Sequence, residues 1–299
     1  MRKYNVILLI ALFSLSILAV STKITPTVAG MTITIRPDGS VDPITAPIST
    51  ADRVTYTFAS DIFGSITIQG SNVVIDGNGF LLQGSGFGIG FSWAGITNVT
   101  IKHTRIQNFG FAIRLVNSRS SSIVENIISA NYHGIYAVSQ SNMINISGND
   151  ISANNGYGIW LQSSDFATIS QNKLTSNRCG VYLLYSGSNK ITRNNIGLNT
   201  ISGLSIFKSS KNLIYSNNFA RNIKQIDDQA GFGYVNLWDN GYPSGGNYWS
   251  DYTGQDTKRG PSQDQSGSDG IGDTTYNIIW PDRDRYPLMA QIAFSTSNS

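Results

Sequence analysis

A set of isoleucines at a fixed interval restricts what this chain can fold into more than any other feature. Ile101, Ile123, Ile146, Ile169, Ile191 and Ile214 stand 22, 23, 23, 22 and 23 residues apart. Five positions further on in each unit lies a second apolar column: Ile106, Ile128, Ile151, Leu174, Ile196 and Phe219. The same step generates Asn126, Asn149, Asn172, Asn194 and Asn217, then Asn131, Asn154, Asn177, Asn199 and Asn222, so a unit reads I-x-x-N-x-(I/L)-x-x-N. A small residue and alternating aliphatics follow, as in Gly134-Ile135-x-Ala137, Gly158-Ile159-x-Leu161 and Gly180-Val181-x-Leu183. Short period-two strands divided by Asn/Gly corners at this interval describe one coil of a parallel β-helix. Leucine-rich repeats share the length, but they need Leu at several fixed positions and usually a helical segment, and neither is present.

The expected fold is all-β: a single-stranded right-handed parallel β-helix, a solenoid, with coils over residues 72–222. An N-terminal β cap is expected over 30–71 and an acidic covering segment over 223–299. At a strand spacing of about 4.8 Å, six or seven coils make a rod of about 30 Å. Asparagine tolerates left-handed backbone, and its amide can bond to the same group one coil away, so both asparagine columns are assigned to the corners. The Ala/Gly column is expected to relieve crowding at a bend.

Arg2 and Lys3 precede the apolar run Val6 to Val20, and Thr27-Val28-Ala29 offers a small-residue cleavage site before Gly30. This predicts a signal peptide over 1–29 and an extracellular, cell-surface or periplasmic chain, with retention of the segment as a lipid anchor the other reading. No second apolar stretch follows, so no membrane span is expected in the mature chain. The single cysteine, Cys179, excludes an internal disulfide.

The formal charge of +3 conceals a division. Residues 1–29 hold three basic groups and no acid, so the remainder balances 18 basic against 18 acidic residues. Within that remainder, residues 98–222 carry eleven Lys/Arg against three acids, and 223–299 carry five against ten. A basic body favours an acidic glycan as ligand. Nucleic acid is not expected as a partner, since the basic residues are scattered and the chain is exported.

The opening coil "VVIDGNGFLLQG" and the tail "GGNYWSDYTGQD…SDGIGDTTYNI…DRYPLM" resemble the NosD-like right-handed parallel β-helix repeat proteins and the carbohydrate-binding and sugar-hydrolysis (CASH) domain family. The resemblance covers roughly residues 31 to 290. It implies the fold and leaves the activity open, because such proteins include polysaccharide lyases, hydrolases, epimerases and an accessory protein for the copper centre of nitrous oxide reductase. Copper favours His, Met and Cys, and a chain with two His, one Cys and four Met is a poor match for it.

With the aliphatics of each repeat inward, Arg114, Tyr136, Trp160, Tyr182 and Ser205 point outward on successive coils. Three aromatics in a row beside an arginine suit stacking against sugar rings, and the same row can also serve as a cross-strand ladder. Arg114, Tyr136, Trp160 and Tyr182, with His133 beside them, are the expected polysaccharide-binding residues. For catalysis, His103 and Glu125 occupy the same repeat position on adjacent coils and are the acid/base candidates. A binder is preferred to a lyase, epimerase or hydrolase, and a copper-accessory or structural surface protein is the third reading. In "DQSGSDGIGD", Asp264, Asp269 and Asp273 offer oxygens at short spacing among glycines, the chemistry calcium uses, although the pattern lacks the final Glu of an EF-hand.

Overall fold

The computed structural model describes residues 30–294 apart from 230 and 232, and over them the chain is a right-handed parallel β-helix without helical segments. The expected leader over 1–29 lies outside the described residues. Each coil passes through three sheets in turn. Sheet I contains Val99–Lys102, Ser122–Val124, Asn145–Ser147, Thr168–Ser170, Lys190–Thr192 and Leu213–Tyr215. Sheet II contains Arg105–Gln107, Ile127–Ser129, Asp150–Ser152, Lys173–Thr175, Asn195–Gly197 and Asn218–Ala220. Sheet III has the longer strands Phe111–Val116, His133–Val138, Tyr157–Gln162, Cys179–Leu184, Ser202–Phe207 and Lys224–Gln229.

Strands in each sheet pair in parallel, and each repeat position lies on its counterpart: Ile123 on Ile101 and Ile146, Ile128 on Ile106 and Ile151. The two isoleucine columns therefore line one continuous interior, each member at most 1% exposed. Burying such a side chain contributes about 1.5–3 kcal/mol relative to exposure. The glycine column sits where coils approach most closely. A Cβ on Gly134, Gly158 or Gly180 would lie 2.3, 2.7 or 2.6 Å from the carbonyl oxygen of the next glycine in the column.

The corners divide their labour differently from the expectation. The left-handed residue at the turn from sheet I to sheet II is the one before each asparagine, Glu125, Gly148, Gln171, Arg193 and Ser216, and His103 before the equivalent Thr104, all with φ between 49° and 68°. Those residues point outward. The asparagines that follow point inward, have ordinary backbone, and are buried. Asn149 shows what they do there. Its backbone N–H and its Nδ2 both donate to Asn172 Oδ1, at 3.0 and 2.9 Å, and Nδ2 also donates to Ile123 O at 2.8 Å. The pattern repeats from Asn126 to Asn217, and a second ladder runs from Asn131 to Asn222 at the next corner.

The coils also extend past both expected boundaries. Met31–Ile35 and Ile62–Ile68 pair in parallel within sheet III, so part of the N-terminal cap is coil. Beyond 222, Lys224–Gln229 adds to sheet III, Leu237 bridges to Leu213, and Tyr248–Trp249 adds to sheet II. Asn236 and Asn247 continue ladders from Asn212 and Asn217 across intervals of 24 and 30 residues, and inserted loops hide them from a 22–23-residue period. The ladder from Asn131 ends on Gln225, whose Oε1 accepts from Asn222 Nδ2 at 2.9 Å, and the other two end on aspartates. Asp284 accepts from Asn247 N–H at 2.7 Å, and Asp282 accepts from Asn236 N–H at 3.1 Å. Their second acceptor role, for the indoles of Trp249 and Trp238 at 2.9 and 3.0 Å, seats the aromatic plug on the last coil.

Replacing Asn172 by Ala leaves the buried Asn149 N–H and amide without their acceptor and Ile146 O without its donor. Urea unfolding of Asn172→Ala should show a loss of about 2–4 kcal/mol. A loss under about 1 kcal/mol would mean that the ladder satisfies corners without stabilising them.

Candidate functional site on the outer face of sheet III

The outward positions of sheet III follow the predicted order: Arg114 pairs with Tyr136, Tyr136 with Trp160, Trp160 with Tyr182 and Tyr182 with Ser205. A second column, at the strand starts, was missed. It consists of Phe111, His133, Tyr157, Cys179 and Ser202, the residue just before the Ala/Gly column in each unit. That offset was visible in the sequence, but alternation alone treats the strand start as corner.

The two columns interlock. Tyr136 stacks on Trp160 with centroids 4.2 Å apart, and Tyr182 lies 6.0 Å from Trp160 on the other side. Phe111, His133 and Tyr157 stack at 4.9 and 5.3 Å, and Tyr157 stacks on Tyr182 at 4.8 Å. Trp160 is half-buried, and its indole N–H is enclosed without an acceptor. Of the two roles expected for the row, stacking on sugar rings and a cross-strand ladder, the contacts in its middle are those of a ladder. Rings one coil apart along the rod cover each other's faces, so the middle of the strip presents edges to solvent.

His133 belongs to this packing. Its Nδ1 accepts the Tyr157 N–H at 3.1 Å, and burial pushes its pKa down to about 4. The ring is neutral at neutral pH. Burial also raises the Tyr136, Tyr157 and Tyr182 hydroxyls above the ordinary phenol value, so all three stay protonated. Cys179 is 2% exposed, donates to Val181 O and accepts from Ser202, and burial raises its thiol. None of this describes an activated nucleophile.

The columns then shrink. After Tyr157 and Tyr182 come Cys179 and Ser202 in one and Ser205 in the other, and the lost volume opens a groove of about 180 Å³. Tyr157 and Tyr182 form its aromatic wall, and Arg178, Ser205, Asp227 and Gln229 supply polar groups. Ser205 is too small to cover the Tyr182 face that Tyr157 leaves free.

The structure brings His103 and Glu125 together, with Nε2 to Oε2 at 2.9 Å, and adds Asp76 at 3.2 Å from Nδ1. Lys102 pairs with Asp76 at 3.1 Å. Both imidazole nitrogens thus face carboxylates, one on the preceding coil and one on the next. Asp264, Asp269 and Asp273 do not converge. Asp273 accepts from Thr257 and Lys258, Asp269 accepts from Gly260 and Gln263, and Asp264 is exposed. Among the described residues no group of three or more His, Cys, Asp or Glu is placed to hold a metal ion. The loop carboxylates act as braces between tail segments.

The three-sheet coil with buried amide ladders places this chain among the right-handed parallel β-helix proteins. More narrowly, residues 71–254 match the family described as Periplasmic copper-binding protein (NosD), and the chain belongs to that family. No curated protein matches. Among solved structures, the periplasmic alginate epimerase AlgG in a double-mutant form is similar at 20% identity and a TM-score of 0.46, over 56% of this chain and 40% of that one. The DFA-IIIase of Arthrobacter chlorophenolicus A6, without its lid and in complex with GF2, is similar at 18% identity and a TM-score of 0.41, over 57% of this chain and 42% of that one. The chain thus matches less than half the length of either protein. No helix among the described residues is long and apolar enough to cross a membrane.

The family description implies copper, and the donors here do not fit it. Copper wants imidazole, thiolate or thioether converging on one point. His103 is tied to two carboxylates, His133 is closed within the ring stack, and the Cys179 thiol is buried against Ser202 and a carbonyl.

Two outcomes follow. Trp160→Ala removes the central ring of a half-buried stack and should cost about 2–3 kcal/mol by denaturant unfolding, below the 3–5 kcal/mol of a fully buried aromatic. An NMR titration should find the His133 imidazole neutral down to pH 5, with a midpoint of about 4. Because an unfolded histidine takes its proton near 6.5, stability from His133 is present above 6.5 and is lost as pH falls from there towards 4. A His133 midpoint at or above 6.5 would refute its burial in the stack.

Proposed function

We propose that this chain is an exported polysaccharide-binding protein that seats one sugar ring of its ligand on the open face of Tyr182. The observation that carries the reading is the end of the aromatic stack: Tyr157 covers one face of Tyr182 at 4.8 Å, and the other borders the groove above Ser205. A sugar ring has an apolar face that gains by leaving water against an aromatic surface, while its hydroxyls need polar partners at the edge. Arg178, Asp227 and Gln229 are so placed. At about 180 Å³ the groove falls below the ~300–1,000 Å³ of sites that enclose small molecules, which suits one ring of a longer chain.

Binding is preferred to hydrolysis because a glycosidase needs two carboxylates across the bond. The groove lining has one, Asp227, which pairs with Lys224 at 2.9 Å and accepts from Gln229 at 3.0 Å. Export rests on the leader-like residues 1–29 and on a family described as periplasmic.

A glycan array should identify ligands, and titration of two variants with any hit tests the site. Tyr182→Ala should weaken binding about tenfold, the effect of roughly 1.4 kcal/mol. Ser205→Tyr should extend the stack over the open face and abolish binding while preserving or raising the melting temperature. A Ser205→Tyr protein that binds as wild type would place the ligand elsewhere.

A further inference from the structure

A second cleft lies on another face of the solenoid, where the last coils of sheet I meet the tail. It measures about 560 Å³, well within the ~300–1,000 Å³ typical of ligand sites. Its floor is the outward face of sheet I, where Thr168 pairs with Lys190, and Ser170 with Thr192 and then Tyr215. Arg193 projects from the adjoining corner. The far wall is the tail loop bearing Asn240 and Ser244. That loop is fixed: Asp239 accepts from Arg285 at 2.7 and 3.0 Å and from Gly241 N–H at 3.0 Å, and Gly245 N–H closes onto Gly241 O at 3.0 Å.

The cleft has a one-sided charge. Lys190 and Arg193 both line it, no carboxylate does, and among the described residues neither cation makes an ion pair. Lys190 Nζ instead sits 5.6 Å from the centroid of the Tyr215 ring. Some cations on the rod are paired between coils, as Lys173 is with Asp150 at 2.9 Å and Lys102 with Asp76 at 3.1 Å, whereas these two stand together in one cleft with no acid in its lining. Two uncompensated cations in a walled cleft raise the local concentration of anions, and each makes stronger hydrogen bonds to an anion than to a neutral group. The remaining lining consists largely of hydroxyls and amides, which suit the hydroxyls of a sugar.

We infer that this cleft binds an acidic oligosaccharide segment, with Lys190 and Arg193 on its carboxylate or sulfate groups. The site is independent of the Tyr182 groove, on a different sheet.

The test is calorimetric titration of the full chain with oligogalacturonate, its fully methyl-esterified counterpart and a dextran sulfate oligomer, the first and last distinguishing carboxylate from sulfate. The Lys190→Gln/Arg193→Gln double variant removes both charges at exposed positions, and Gln171 already occupies the same left-handed corner one coil earlier. Binding of at least one acidic oligomer is expected, weakened at least tenfold in the double variant and by rising salt, and unchanged in Ser205→Tyr. The inference is overturned if neither acidic oligomer binds, if the esterified chain binds as well as the free acid, or if the double variant binds as wild type. Loss of acidic binding in Ser205→Tyr alone would assign it to the Tyr182 groove instead.

Discussion

Everything in this molecule is positioned by a hydrogen bond between like groups on successive coils. A coil of 22 or 23 residues must turn inward-facing backbone at three corners, and buried backbone N–H and C=O groups left unpaired would each cost about 1–3 kcal/mol. The inward asparagine solves this at two corners and, from Asn189 to Asn236, at the third, since one amide offers two donors and an acceptor with two lone pairs. Each Oδ1 takes the N–H and an amide hydrogen of the asparagine one coil before it, while that amide also donates to a carbonyl on the preceding coil. Such a ladder needs an acceptor at its far end, which for the one running from Asn131 is Gln225 Oε1. Asp284 and Asp282 supply it for the other two, at the cost of burial that pushes Asp284 up to about 7 and raises Asp282 above an ordinary carboxylate. The acidic tail is therefore part of the core's hydrogen bonding as well as its cover.

Strict stacking makes the exterior a set of columns, and the functional surface arises where a column changes character. Aromatic rings in successive coils of sheet III satisfy each other; only where Tyr182 gives way to Ser205 does a face come free. On sheet I, Lys102 pairs with Asp76 between coils, but Lys190 and Arg193 stand without an acid where they meet the tail loop. In a solenoid, a break in repetition creates concavity, because the repeating part is filled by its own neighbours.

Family membership and chemistry separate in this chain. The match over residues 71–254 is to a copper-binding family, yet the histidines, the cysteine and their neighbours are arranged as packing and ion-pair groups. The same coil frame holds carboxylates, rings or amides at a given outward position without altering its corners. A fold of this kind therefore constrains the interior far more than the exterior.

Residue periodicity by itself determined the solenoid, the inward isoleucines, the asparagine ladders between coils, the outward order from Arg114 to Ser205, and the adjacency of His103 and Glu125. Each of these depends on contact between equivalent positions one repeat apart, which is a local rule applied many times. Tertiary structure alone decided the rest. Whether Trp160 offered a face or an edge depended on Tyr136, Tyr157 and Tyr182 together, and the groove depended on which rings were missing. The last coil was hidden because loops lengthened the interval to Asn236 and Asn247, and the tail aspartates found their roles 37 and 46 residues away from those amides. Spacing reports what repeats, whereas the ends of ladders and the closing of clefts are set by packing between segments that share no period.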